Sequence, residues 1–413
     1  MFDSTYRWLQ HPTGLRLAVA TLPQSECAAL SIYIPAGSRD EAGVPSGIAH
    51  FVEHMVFKGT ETRGARELSL AIESAGGQLN ACTTEDHTAY EGRAEADQLP
   101  LLAEILTDMV WHASFPESEI ALEREVIAEE IISYRENPSD HIGDLISAAL
   151  WESHPLGQPI SGTLETIRAI DCTALRSFRD VHHFREDIVI AAAGPFALSD
   201  LCAVLEPRLP ASLRSASPPL PFRAADHPPR HLTEQRDTEQ LQLALAWHTP
   251  GRHHPLRHAI RLLSTMLGET ASSRLFLELR EERGLCYHIS SDVVFLDETG
   301  AFEVSAGLDP AARDEALHCV FRECRDLAEH GPRPGELDRA KRLAIAHSKL
   351  AFESTAAHAA WIGQGLMDFH EIPVVEDWRR NILAVTDADL RAAAGLLFAG
   401  QPHAQAEIGN RPT

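Results

Sequence analysis

The period of the apolar positions changes several times along the chain, and each change marks an element. Residues 15–22 and 28–34 alternate or run apolar at strand length, with a Pro-Gln-Ser-Glu turn at 23–26. Between 47 and 60, Ile48, Phe51, Val52, Met55 and Val56 recur at helical spacing and predict a mostly buried helix. A second helix over 65–74 is closed by Gly76-Gly77, where positive φ carries no Cβ clash. Strand-like pieces at 79–83 and 88–93 flank a polar turn, Thr84-Glu85-Asp86. Helices follow over 99–112 and from Pro116-Glu117-Ser118 to about 135, with Pro138 beyond. Residues 154–163 read as loop and 187–193 as a buried strand.

From 206 to 230 the periodicity stops, and prolines crowd at 207, 210, 218, 219, 221, 228 and 229. Such a stretch is a semi-rigid linker. After it the order of elements repeats: a strand at 241–247, helices at 256–267 and 273–282 closed by Gly284, strands at 292–296 and 301–308, and long helices at 313–329 and 335–352. Residues 357–413 read as helical and then irregular. The pattern predicts a duplicated α+β unit, with domains at 1–210 and 236–413 joined by a linker at 211–235.

A chain of 413 residues is long enough for two such domains. A composition 44 % hydrophobic and 23 % charged is that of an ordinary globular protein. The formal charge of −24 argues against nucleic-acid or anionic-membrane partners; it suits basic substrates or serves solubility alone. Seven cysteines without a Cys-x-x-Cys pair give neither a disulfide framework nor a structural zinc pattern. Cys319 and Cys324 do not share a helix face and read as packing residues. Residues 1–21 lack the apolar core of a secretory signal, and no apolar run approaches the ~18–20 residues that span a bilayer. A cytoplasmic protein is expected.

The chemistry concentrates in the first apolar helix. His50 and His54 are i and i+4, about 40° apart around the axis, and leave the same face. Glu53 stands beside them. Two imidazoles with an adjacent carboxylate supply two ligands for a catalytic zinc and a base for its water. Three ionisable groups in an apolar helix are costly unless they ligate something. A third ligand must come from elsewhere. The helix after Pro116 has an apolar stripe of Ile120, Val126, Ile127, Ile131 and Tyr134, and Glu123 and Glu130 fall within it, whereas Glu125 and Glu129 fall largely outside. At the matching place in the second half stands Leu256-Arg257-His258-Ala259-Ile260-Arg261-Leu262, which cannot bind metal in this way.

His-x-x-Glu-His resembles the signature of the pitrilysin/insulinase family of inverted-motif zinc metallopeptidases. Gly37-Ser38-Arg39-Asp40-Glu41, the phrase from Ser46 to Thr60, Gly76-Gly77 through Asn80-Ala81 to Thr88, and His154-Pro155-Leu156-Gly157 to Thr163 resemble that family in its order. The resemblance runs from about residue 10 to about 350 and is nearest to the short-chain branch of the mitochondrial processing peptidase and its bacterial relatives. It implies two homologous domains, each a mostly antiparallel sheet with helices packed on it. It implies one zinc per chain on His50, His54 and Glu130, the last lying 76 residues past the second histidine. Glu53 would be the general base, and Glu123 would take a hydrogen bond from a ligand histidine. Asn80 and Ala81 would lie on an edge strand that pairs with an extended peptide. Arg280 and Tyr287, seven apart, would bind substrate carbonyls and the transition state. The chain departs from the family at Gly268-Glu269-Thr270-Ala271, where a glycine run is usual, and at Arg185, where proline is common.

The implied function is a zinc endopeptidase cleaving peptides or unfolded segments inside a clamshell chamber. The competing reading is a non-catalytic or presenting subunit of a heterodimeric peptidase; degenerate members lose zinc residues, and this chain keeps all four. A small-molecule hydrolase on the same scaffold is a third. Long-chain relatives enclose substrate with four such domains, so a chain of two implies a homodimer or a heterodimer with a homologous chain.

Overall fold

Strand pairing gathers the two halves of the repeat into two separate sheets. The structure, a computed structural model, describes residues 5–216, 218 and 220–410. Pro219 of the expected linker, and the outermost residues of both expected domains, lie outside that range. The chain forms two compact units that interleave in sequence. The first comprises the chain up to Ile131, Pro159–Leu220 and Lys349–Val374; the second comprises Ile132–Gln158, Pro221–Ser348 and the chain from Val375.

The first unit holds strands β1 (Thr5–Gln10), β2 (Arg16–Thr21), β3 (Cys27–Ile34), β4 (Gln78–Thr83), β5 (Thr88–Glu95) and β6 (Val189–Gly194). Their order is β1-β2-β6-β3-β5-β4, with β2 and β6 parallel and every other pair antiparallel. Both faces of the central strands are buried, so β2 and β3 read as apolar runs. Leu17, Val19, Leu30 and Ile32 pack on one face with the helices α1 (Ile48–Val56) and α3 (Leu99–His112), beside α2 (Ala65–Ser74). Ala18, Ala20, Tyr33, Ala191 and Ala193 form the other face, covered by Ala359, Ile362 and Leu366 of the helix Thr355–Phe369. Small residues permit that close approach: a Cβ on Gly363 would lie 2.3 Å from the Tyr33 ring. The strand β1 escaped the sequence reading because most of its residues are exposed and it has no apolar face.

The second unit holds β7 (His231–Glu234), β8 (Leu241–Pro250), β9 (Cys286–Phe295), β10 (Thr299–Leu308) and β11 (Ala404–Ile408), in the order β7-β11-β8-β10-β9. One parallel pair, β7 with β11, is followed by antiparallel pairs, as in β2-β6-β3-β5-β4. The sequence repeat is therefore a repeat of topology, and the class is α+β.

One helix went unread and three expectations need correction. The helix α4 (Glu117–Glu136) ends where read, and Pro138 beyond it opens the unread one, α5 (Pro138–Trp151), with the Asn137 side chain capping Ser139 N–H. Ile142, Ile146 and Leu150 of α5 pack on Ala244, Ala246, Ala404 and Ala406. Thus α5 lies in the second unit and Thr355–Phe369 in the first, whereas continuous domains were expected at 1–210 and 236–413. The expected irregular tail contains β11, every residue of it buried, where Glu407 accepts from Arg313 Nε at 3.0 Å. The first strand of the later pair begins at Cys286, not 292, which places Tyr287 on an edge. Among the described residues no helix is long and apolar enough to cross a membrane.

Candidate metal centre

Every apolar residue of α1 named above is buried, which turns His50, Glu53 and His54 to its half-buried face. The start of the helix is fixed twice. Gly47 has φ of +90° and Gly162 of +74°, and a Cβ on Gly162 would lie 2.4 Å from the Ser46 carbonyl, so the 159–162 loop locks onto the turn before α1. The Glu41 carboxylate accepts the N–H groups of Gly47 and Ala49, each at 2.9 Å. Burial pushes Glu41 up to about 8, against those two backbone bonds.

His50 Nε2 and His54 Nε2 are 3.2 Å apart. Glu130 on α4 brings Oε1 to 3.8 Å from His50 Nε2 and Oε2 to 3.7 Å from His54 Nε2. Ligand atoms roughly 2.0–2.1 Å from a tetrahedral zinc stand about 3.4 Å apart. The three donors thus fit one ion, and theirs is the one cluster of its kind among the described residues. Burial, and then the neighbouring His54, lower His50 to about 3, so its ring is neutral with a lone pair to give. His54 Nδ1 lies 2.8 Å from Glu123 Oε1; with its proton donated there, Nε2 is left as an acceptor facing the cluster.

Glu53 lies beside this set. Its carboxylate accepts the Thr83 hydroxyl; burial raises its pKa, and the Thr83 bond and His54 oppose that rise. Thr83 ends β4, the sheet edge that pairs only with β5 among the described strands. Asn80 is exposed on this edge and Ala81 half-buried. Thr83 and Glu41 escaped the sequence reading as site residues, although each lies within a phrase it singled out.

The buried stripe of α4 is narrower than expected. Ile120, Glu123, Ile127 and Ile131 are buried, whereas Val126 and Tyr134 are about half exposed. Glu130 lies outside the stripe with 47 % of its side chain exposed, at the margin where α4 meets the histidines. Glu125 and Glu129 are exposed.

Arg280 and Tyr287 belong to the second unit. Arg280 lies in the wide helical turns Phe276–Glu282, its guanidinium 4.8 Å from the Phe276 ring centre. Tyr287 is 74 % exposed on the edge strand β9. Gly268 packs against that strand, where a Cβ would lie 2.6 Å from Ser291 N. Arg185 is buried and pairs with both oxygens of Asp187, at 2.9 and 2.6 Å.

Residues 16–164 match the family described as insulinase (peptidase family M16), and residues 169–344 match its peptidase M16 inactive domain. An uncharacterized zinc protease of Mycobacterium leprae is 32 % identical over 94 % of this chain and 88 % of that one. Another from Streptomyces coelicolor is 33 % identical over 96 % and 88 %, and one from Bacillus subtilis 28 % over 97 % and 98 %. In fold, the chain is similar to the crystal structure of a protease from Helicobacter pylori, with a TM-score of 0.91 at 21 % identity over 98 % of this chain and 100 % of that one. A peptidase M16 inactive domain structure from Pseudomonas fluorescens gives 0.88 at 21 % identity, over 99 % of each chain.

Proposed function

Because this chain belongs to the insulinase family (peptidase family M16), we propose that it is a zinc-dependent endopeptidase cleaving peptides or unfolded segments bound in extended form. The observation that carries this reading is the convergence of His50 Nε2, His54 Nε2 and a Glu130 oxygen within 4.8 Å of one another, with Glu53 adjacent. His50, His54 and Glu130 would hold the ion, which when bound would polarise the scissile carbonyl and acidify a water. Glu53 takes that proton and returns it to the leaving amine; its raised pKa brings it nearer to neutrality, where such exchange is efficient. The open edge of β4, through Asn80 and Ala81, adds the peptide as a further strand, reading backbone rather than side chains. Arg280 and Tyr287 donate to substrate carbonyls and to the developing oxyanion.

The seven cysteines are free, in keeping with a cytoplasmic setting. One specific observation favours a second reading, a non-catalytic or presenting subunit: residues 169–344 match an inactive domain. The cluster of His50, His54 and Glu130 lies outside that match and wholly within the other. Metal analysis together with cleavage of an unstructured peptide library tests the proposal. Zinc near one per chain and cleavage abolished in His54→Ala are expected; a zinc-loaded chain inert toward every peptide would move it to the presenting role.

A further inference from the structure

Lys58 follows α1 closely, and its Nζ meets Glu123 Oε2 at 2.6 Å. The other oxygen of that carboxylate faces His54 Nδ1 at 2.8 Å. The Glu123 side chain is only 6 % exposed. A carboxylate so placed is costly without partners, and among the described residues its side-chain partners are these two.

His54 lies in the last turn of α1 and Lys58 two residues past its end, and both side chains reach the Glu123 carboxylate. Lys58 N–H also bonds the Met55 carbonyl at 3.1 Å, holding the chain in its last turn. A cation at this end is favoured by the helix dipole as well. We propose that Lys58 is a positioning residue for the metal site: it grips one oxygen of Glu123 so that the other holds His54 with its proton on Nδ1 and Nε2 facing His50 and Glu130. A glutamate side chain has three rotors, and one bond to an imidazole leaves it free to turn. A second, charge-assisted bond fixes the plane of the carboxylate. With the Glu123 side chain 6 % exposed, no other side chain among the described residues supplies that grip. The chain Lys58–Glu123–His54 thus extends the ligand set outward by two residues.

This inference rests on the zinc reading above, and its test separates the two. Zinc affinity of the full chain is measured by competition with a chromogenic chelator, independently of cleavage. Lys58→Met is expected to bind zinc ~10-fold more weakly, the lower end of what outer partners of a ligand histidine contribute. Lys58→Arg, which keeps a donor cation, restores most of the affinity. In a Glu123→Gln background, Lys58→Met adds little, because it acts through the carboxylate already removed. A general loss of structure would instead weaken binding in either background and would not be rescued by Arg. Parental affinity in Lys58→Met, or an undiminished further loss in Glu123→Gln, overturns the positioning role alone. A parental chain that takes up no zinc overturns the functional reading and this inference with it.

Discussion

Glu53 and Glu130 flank the same pair of imidazoles, and their surroundings separate their roles. Both Nε2 atoms face the Glu130 oxygens, whereas Glu53 is held by Thr83 at the edge strand. Glu53→Gln is therefore expected to keep zinc while cleavage falls by at least ~10², since a base is lost and no ligand is. Near-parental cleavage by that variant would refute the assignment. Glu130→Gln is expected to lose metal and the exposed Glu129→Gln to retain it, as elemental analysis will show. The histidine pair was legible because ionisable groups on an apolar helix stand out. Glu130 was not legible from burial, being half exposed; only the family spacing distinguished it from Glu123. A different histidine reports on acid stability. His183 is buried, with Nδ1 against the Val110 carbonyl at 3.3 Å, and burial lowers it to about 3. Its folded pKa lies below the unfolded value near 6.5, so its contribution is complete above pH ~6.5 and is lost as pH falls towards 3. Denaturant midpoints of metal-free protein should fall less steeply between pH 6.5 and 4 in His183→Phe; equal slopes would remove His183 from the acid response.

Among the elements, α1 depends on a loop distant in sequence. A side chain at Gly162 would be forced to positive φ and into the Ser46 carbonyl, displacing the turn that starts the helix. Gly162→Ala is expected to weaken zinc retention although no ligand changes. Chelator competition checks this, and unaltered affinity would mean that the turn absorbs the methyl group. The helices α2 and α3 could be read to their ends, since Gly76 and a long apolar face mark them. The helix α5 went unread because proline suits the first turn of a helix as well as the stretch beyond an end; at Pro138 both hold, and the Asn137 cap marks the start. For β11 the difficulty was Gln405 and Glu407, polar residues that are buried because they bond to each other and, for Glu407, to Arg313. Periodicity assigns buried polar strands to the surface; tertiary partners reverse that.

At the scale of the whole molecule, duplication was legible as an order of elements, while the exchange of helices was not. Neither α5 nor Thr355–Phe369 carries a sign of which sheet it covers, because their alanine-rich contacts fit either half. The duplication has a consequence for assembly. One chain carries both the His-Glu set, in its first unit, and Arg280 with Tyr287, in its second. The family resemblance supplies the arrangement in which the arginine-tyrosine pair serving a given zinc comes from an opposing half, and two copies of this chain hold everything two sites need. A C2 homodimer, the commonest assembly of soluble chains, is the corresponding proposal; a heterodimer with a zinc-less homologue would leave one set here redundant. Complementation distinguishes them. Glu53→Gln and Arg280→Ala should each be inactive alone. Mixed under conditions of confirmed subunit exchange, they should regain activity, because each mixed dimer then has one fully parental site. At equal amounts half of the dimers are mixed, so about a quarter of all sites are restored if exchange is random. An active species that stays monomeric by light scattering at every dilution, or mixed dimers that remain inert, would rule the shared site out.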